Sequence, residues 1–318
     1  MAKATAQAKG KVNGVLGPID AEALGFTLMH EHILIANWSM RQSFADWVDL
    51  EAHAVHATRE VRSAKLLGVD TIVDLTPINL GRDIHVIREV AERAEAQVIA
   101  ATGFYYHEEP WLAGWEVDRL VEFLIRDIEV GIQGTDSKAG IIKAATAEAG
   151  VTRSNRKTLQ VAARLQKATG VPISTHTTPE NRSGLAQQDV FEEEGVDLSR
   201  VVIGHCGDTS DLEYLETVLR RGSSIGMDRF GLDMILPMKD RVVTIAELCR
   251  RGWADRMVLS HDACCHIDFF PPGLQMPPKW NYRHICEDVI PALREEGVTE
   301  AQIRAMTIDN PRRLLTGA

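Results

Sequence analysis

Long apolar runs are missing from this chain of 318 residues: none approaches the ~18 consecutive apolar residues that span a bilayer. No membrane association is expected. Positive charge is short as well. Against 45 Asp+Glu stand 35 Lys+Arg, a formal net charge of −10, whereas gripping a phosphate polymer takes a basic face. No nucleic-acid partner is expected. Cysteine is sparse: Cys206, Cys249, Cys264, Cys265 and Cys286 are odd in number, and no CxxC pair occurs. That spacing supports neither a disulfide framework nor a structural zinc knuckle, and a reducing, cytoplasmic setting fits best. No GxGxxG turn follows any apolar run, so dinucleotide binding has no support. No Pro/Gly/Ser-rich linker, low-complexity tract or repeat divides the chain. The opening MAKATAQAKG has two lysines with no apolar core behind them, so it does not read as a secretory signal. Residues 1–14 are expected to be a flexible tail and residues 15–318 one domain. Lys11–Asp20 (KVNGVLGPID), with its Asn-Gly and Gly-Pro, reads as a small hairpin closing the bottom of the fold.

What is present is an ordinary globular balance, 45% hydrophobic and 25% charged. The length admits one α/β barrel or two smaller domains. Eight short β-rich runs settle the class: Phe26–Ile33, Thr71–Leu75, Val98–Gly103, Gly140–Ala144, Pro172–His176, Val201–His205, Ser223–Asp228 and Arg256–Asp262. Between them lie segments of helical period, among them Ala54–Leu67, Ile84–Ala94, Val117–Ile128, Arg156–Ala168 and Leu212–Arg221. Eight strands alternating with helices predict a single (β/α)8 TIM barrel, an α/β fold.

Barrel enzymes place their chemistry at the carboxyl ends of the strands. Those ends carry His30 and His32, Asp74, Thr102, Lys143, His176, His205, Asp228 and Asp262. Four of the eleven histidines therefore fall at strand ends. His30 and His32, two apart on one strand, face the same side and can share an ion, while Glu31 points outward. Taken alone, an HxH pair also fits two core histidines. Imidazole and carboxylate together suit zinc, cobalt, iron or manganese. Lys143 has two readings. One is a salt bridge with Asp262 or Asp228. The other is carboxylation by CO2 to a bridging carbamate. Two divalent ions bring about +4, and a carbamate, Asp262 and a hydroxide about −3, whereas an ammonium would leave the site near about +3. The ligand positions run from His30 to Asp262 and must meet, which favours one barrel over two domains.

These motifs resemble the phosphotriesterase family of the amidohydrolase superfamily, and most of all its phosphotriesterase-like lactonases. The resemblance rests on GFTLMHEH (25–32), TIVD (71–74), GRD (81–83), GIQG (131–134), KAGIIK (138–143), ISTH (173–176), GLAQQ (184–188), EEGVDL (193–198), IGHCGDT (203–209), GMDRFGLD (226–233), SHDACC (260–265) and DNPR (309–312). It covers roughly residues 15–315. It implies a binuclear centre at the barrel mouth of a cytoplasmic homodimer. His30, His32 and Asp262 would hold the more buried ion and His176 and His205 the more exposed one. Lys143, as a carbamate, and a hydroxide would bridge both. Zinc is the first choice of metal. The implied activity is hydrolysis of lactones, N-acyl-homoserine lactones of quorum-quenching type among them, with promiscuous activity on organophosphate triesters. The alternative is a dedicated phosphotriesterase or arylesterase, an aryldialkylphosphatase.

In that mechanism the hydroxide attacks and Asp262 takes its proton. Asp228 is either a relay partner or a carboxylate that orients a histidine. Tyr105, or Tyr106 by one register, matches the family tyrosine. Arg229 matches the family arginine and either contacts substrate or pairs with Asp233. Phe269, Phe270, Leu274, Met276 and Trp280 in the last loop suit an acyl or aryl group. Trp38, Phe44 and Trp47 line the pocket or, for part of the set, a dimer interface. Many family lactonases carry an aromatic residue where this chain has Ala263, which would widen the pocket. Cys264 and Cys265 read as buried small hydrophobes. His53 and His56 are expected on a solvated helix face, and His261 behind the barrel. His107, His266 and His284 are placed near the mouth. Phosphorylated sugar lactones would want more basic residues than Arg229. The lysine on the fourth run argues against a metallonuclease. A non-catalytic scaffold would have lost a ligand, yet all six positions are filled.

Overall fold

Side chains alternate across a strand, so a run rich in Val and Ile must find cover on both faces. The computed structural model describes residues 10–271 and 273–317. A hairpin, β1 (Lys11–Gly14) and β2 (Gly17–Asp20), comes first. Eight parallel strands follow: β3 (Thr27–Glu31), β4 (Thr71–Asp74), β5 (Gln97–Gly103), β6 (Ala139–Ala145), β7 (Ile173–His176), β8 (Val201–Ile203), β9 (Ser224–Met227) and β10 (Met257–Leu259). They pair in chain order. The ring closes between β10 and β3 through loop contacts such as Asp262 N–H to His30 O at 2.9 Å and His32 N–H to Ala263 O at 2.9 Å. This is a (β/α)8 TIM barrel.

The shell helices include α1 (Trp38–Ser43), α2 (Leu50–Leu66), α3 (Ile84–Ala94), α4 (Val117–Glu129), α5 (Arg153–Thr169), α6 (Ser183–Glu193), α7 (Leu212–Arg220) and α8 (Met238–Arg250). Several start on a side-chain cap that satisfies a free amide of the first turn, as Asp49 does for Ala52, Thr152 for Asn155 and Asp211 for Tyr214. The left-handed Gly170 ends α5.

Two apolar layers result. Ile72, Val98, Ile142 and Ile173 face outward onto the helices. Val73, Ile99, Ala101, Ile141, Val202 and Val258 face inward. The inward layer is sealed from below by Val12 and Ile19 of the hairpin and by Leu314 and Leu315. Fully burying each such side chain contributes roughly 1.5–3 kcal/mol. The tail expectation for residues 1–14 is corrected here: Lys11–Gly14 is a strand, and Val12 is part of the core. The rest of that expectation, residues 1–9, lies outside the described residues.

All five cysteines are free thiols, and no described helix is long and apolar enough to cross a membrane. Cys264 and Cys265 are only partly buried, contrary to expectation. A second correction concerns His53. It is buried rather than solvated, its ring 5.7 Å from that of His266. Burial, with His266, His56 and Arg41 nearby, lowers its pKa to about 4. The unfolded chain therefore binds more protons than the folded one between pH 6.5 and about 4, and His53 opposes folding as the pH falls through that window. In chemical unfolding of wild type and His53→Phe at pH 5 and pH 7.5, the variant should lose less stability on acidification, by roughly 1–3 kcal/mol. Equal losses in both proteins would reject the assignment.

Candidate metal centre

The top of the barrel gathers the ionisable side chains that alternation directs inward. Met29 joins the inner apolar layer and His30 the cavity above it. A register shift between Leu28 and Glu31 lets both consecutive residues face in. Lys143 follows Ile141 by two and shares its inward face. His176 ends β7, Asp228 follows β9, and His205 and Asp262 lie just beyond β8 and β10.

These groups converge. Lys143 Nζ lies 2.9 Å from His30 Nε2. Asp262 Oδ1 lies 3.0 Å from His32 Nε2 and 3.2 Å from His30 Nε2. His205 Nε2 is 2.9 Å from His176 Nδ1 and 3.8 Å from Asp262 Oδ2. The ligand atoms of His30, His32 and Asp262 lie within 4.8 Å of one another, a set able to hold one ion. The opposite ring nitrogens are tied down. His30 Nδ1–H donates to Asp228 Oδ2 at 2.8 Å, and His205 Nδ1–H to Asp228 Oδ1 at 3.0 Å. His32 Nδ1 contacts Thr76 Oγ1 at 2.8 Å. Fixing one nitrogen leaves the other's lone pair aimed inward, as a metal site requires. The donor set and its orientation thus fit divalent cations.

His30, His205 and Asp228 also form a tight group, but those contacts are made behind the rings. Asp228 is 1% exposed and does not line the cavity. It meets the centre from behind, through the Nδ1 atoms of His30 and His205. Burial pushes its pKa up, but the His205 and His30 rings outweigh that and hold it ionised. Asp262 is likewise held well below the usual range: burial opposes, and His30, His205, His32 and Arg229 prevail. Burial, with Lys143 nearby, lowers His30 to about 3, and burial with His205 nearby lowers His176 well below its ordinary value. Both rings are neutral, the form that binds metal. Lys143 is lowered to about 8 by burial, against the pull of Asp262 and Asp228.

His205 and Asp262 share another property. Both are non-glycine residues at positive φ, 58° and 52°, a conformation that costs of order 1–3 kcal/mol and persists only when neighbours enforce it. Asp228 Oδ1 accepts from the His205 amide at 2.7 Å. Around Asp262 the enforcing group is Glu31. It faces away from the lumen, as alternation predicts, yet it is fully buried and hydrogen-bonded across to the loop after β10.

The cavity above these groups has a volume of about 720 Å3. Tyr105 and Tyr106 both line it. Tyr105 is the one whose hydroxyl reaches His176 Nδ1, at 3.3 Å. Burial, with Tyr106 and Asp262 adjacent, raises its pKa well above normal, so it stays a phenol. Phe269, Phe270, Leu274, Met276 and Trp280 form part of the wall. Trp38, Phe44 and Trp47 do not; they are exposed.

Arg229 is clamped rather than free. Its Nε donates to Asp262 Oδ2 and its Nη1 to Asp208 Oδ2, both at 2.9 Å. The expected partner Asp233 is not used. Asp208 is itself held by the buried Arg241 at 2.8 Å. Ala263 also departs from expectation: it is buried in the outer core, so it does not widen the cavity, and Cys264 supplies the wall instead. Thr76, Asp208 and Arg241 also support the centre, and so does Glu31, which the sequence reading expects only to point outward. Only Glu31 carried a signal, an ionisable residue on the covered face of a parallel strand, where a charge needs partners.

Known proteins resemble this chain along almost its whole length. The phosphotriesterase family profile matches residues 10–315. The phosphotriesterase homology protein of Mycobacterium tuberculosis is 48% identical over 319 aligned residues, covering 96% of this chain and 97% of the relative. The aryldialkylphosphatase of Saccharolobus solfataricus is 38% identical over 306, covering 94% and 97%. The solved structure of the phosphotriesterase from M. tuberculosis matches with a TM-score of 0.91 at 47% identity, covering 96% of this chain and 98% of that one. The chain belongs to the phosphotriesterase family of hydrolases.

Proposed function

We propose that this hydrolase is a lactonase that takes neutral acylated lactones, N-acyl-homoserine lactones among them, with side activity on phosphotriesters. The observation that carries the reading is the pairing of a clamped Arg229 with a protonated Tyr105 beneath an apolar wall. Arg229 has its charge offset by Asp262 and Asp208, and Glu148 and Glu180 stand on the same wall. An anionic substrate such as a phosphorylated lactone finds no free cation there, whereas a neutral apolar ester is accommodated.

His30, His32 and Asp262 would hold one ion, and His176 and His205 the other. Lys143 would lie between them as a carbamate. Its lowered pKa leaves a neutral fraction near pH 8, the form whose nitrogen bonds to the CO2 carbon with loss of a proton. Zinc is the first candidate, with cobalt, iron and manganese next. Bound there, two divalent cations lower the pKa of water and draw charge from the ester oxygen. Asp262, held ionised and oriented by Arg229, accepts the proton of the attacking water. The Tyr105 hydroxyl hydrogen-bonds to the lactone ring oxygen, a poor alkoxide leaving group, which leaves with the proton that Asp262 took from the water. Asp228 keeps His30 and His205 in register. The exposed Trp38, Phe44 and Trp47 favour a homodimer, and the free thiols a cytoplasmic location.

A second reading, a dedicated phosphotriesterase or arylesterase, is favoured by the likeness to the S. solfataricus aryldialkylphosphatase. Specificity constants for a long-chain acyl-homoserine lactone and for paraoxon separate the two. The lactone should lead by tenfold or more, and a clear lead for paraoxon over every lactone reverses the assignment. Tyr105→Phe should lower lactone turnover by about 10²-fold, the low end for a lost hydrogen bond to developing charge. It should change paraoxon turnover far less, because an aryl oxide leaves unaided. Lys143→Ala should lower bound metal from two ions towards one or none, with activity falling in parallel. Full activity in that variant rejects the bridge.

A further inference from the structure

We propose that Glu31 is a positioning residue for the metal centre: its carboxylate fixes the backbone around Asp262, so that strands on either side of the barrel seam present their ligands to one ion. The inference rests on the metal-centre reading above. The seam closes beyond the strands, through loop bridges such as His32 to Cys264 and Ile35 to Ile267. The strand ladder runs from β3 round to β10 and does not bridge those two strands. Yet the ligands proposed for one ion straddle this gap, His30 and His32 on one side and Asp262 on the other.

Glu31 spans the gap with both oxygens. Its Oε1 accepts from Ser260 Oγ at 2.8 Å, from the His261 amide at 3.1 Å and from His261 Nδ1 at 2.6 Å. Its Oε2 accepts from the Ala263 amide at 2.9 Å. The Asp262 amide between them donates to His30 O at 2.9 Å. Three successive amides, 261 to 263, are thus bonded to residues 30 and 31. That set holds Asp262 at its positive φ of 52°.

The partners are ordered in turn. His261 Nε2 accepts from the Ile285 amide at 3.0 Å, so Nδ1 carries the proton and donates to Glu31. Ser260 Oγ donates to Glu31 and accepts from the His30 amide at 2.8 Å. A carboxylate with 0% exposure between strand and shell is a costly choice where an apolar side chain would pack. Its four donors, all on the Ser260–Ala263 segment, state what it is for. Asp228 does the matching work at His205, but it also touches the rings directly. Glu31 reaches the centre only through Asp262 and the seam.

Glu31→Gln tests this. It keeps the size, but its amide cannot accept at both ends, so either the Ala263 amide or the His261 side faces another donor. Wild type and variant would be loaded with zinc or cobalt. Metal content and the rate of loss of each ion to a chelator would then be measured, alongside the Tm of the metal-free proteins. Wild type should hold two ions. In the variant one of them should leave 10- to 100-fold faster, the usual loss when a group supporting a ligand is removed. The other should leave at close to the wild-type rate. A purely structural role would lower the metal-free Tm and leave both rates unchanged, and unchanged rates overturn the proposal whatever the Tm does. Should Glu31→Gln fail to fold, Ser260→Ala and His261→Phe each remove one donor. Faster release of one ion in either supports the proposal, and wild-type release in both overturns it. A wild type that takes up no divalent ion overturns the metal-centre reading and this inference together; two ions held equally by wild type and variant overturn this inference alone.

Discussion

Four imidazoles, an amine and a carboxylate crowd into a space from which bulk water is largely excluded, and that crowding constrains everything around it. Neutral rings are required, because charged ones would repel each other and Lys143. Burial supplies that by lowering His30 and His176. Ionised carboxylates are required too, and burial works against them. The molecule meets the second demand with hydrogen bonds from His205 and His30 to Asp228, and with the His32 contact and the Arg229 guanidinium at Asp262. Buried carboxylates with every oxygen bonded are the hinge on which the strand ends turn.

The fold was legible because period-two runs separated by helical segments admit few architectures. Ile84–Ala94 was placed to the residue, and the remaining named helices to within a few. The inward direction of Lys143 followed from alternation, since it sits two residues after Ile141. Where alternation breaks, the reading had less to hold. Met29 and His30 both face inward because of a register shift that no spacing rule reveals.

Partners far apart in sequence were the harder part. For Arg229 the sequence offered substrate contact or a pairing with Asp233, four residues on; its ion-pair partners are instead Asp208 and Asp262, from other strand ends. His53 read as part of a solvated helix face, yet it is buried. The loop after β10 brings His266 down over it. Ala263 read as part of the cavity wall, but the positive φ at Asp262 turns the next residue into the core. Each departure has one cause: local pattern sets which way a strand faces, while loop geometry sets what meets it.

The floor of the barrel carries a consequence for traffic. Val12, Ile19, Leu314 and Leu315 seal the lower end, and the inward layer above them is packed side chain against side chain. Nothing passes through the barrel from below. Among the described residues, the way in and out of the site lies past Phe269, Phe270 and Trp280 at the mouth. A product that clings to that frame blocks the next substrate, so the grip of the mouth on what it admits bears on turnover as well as on selectivity.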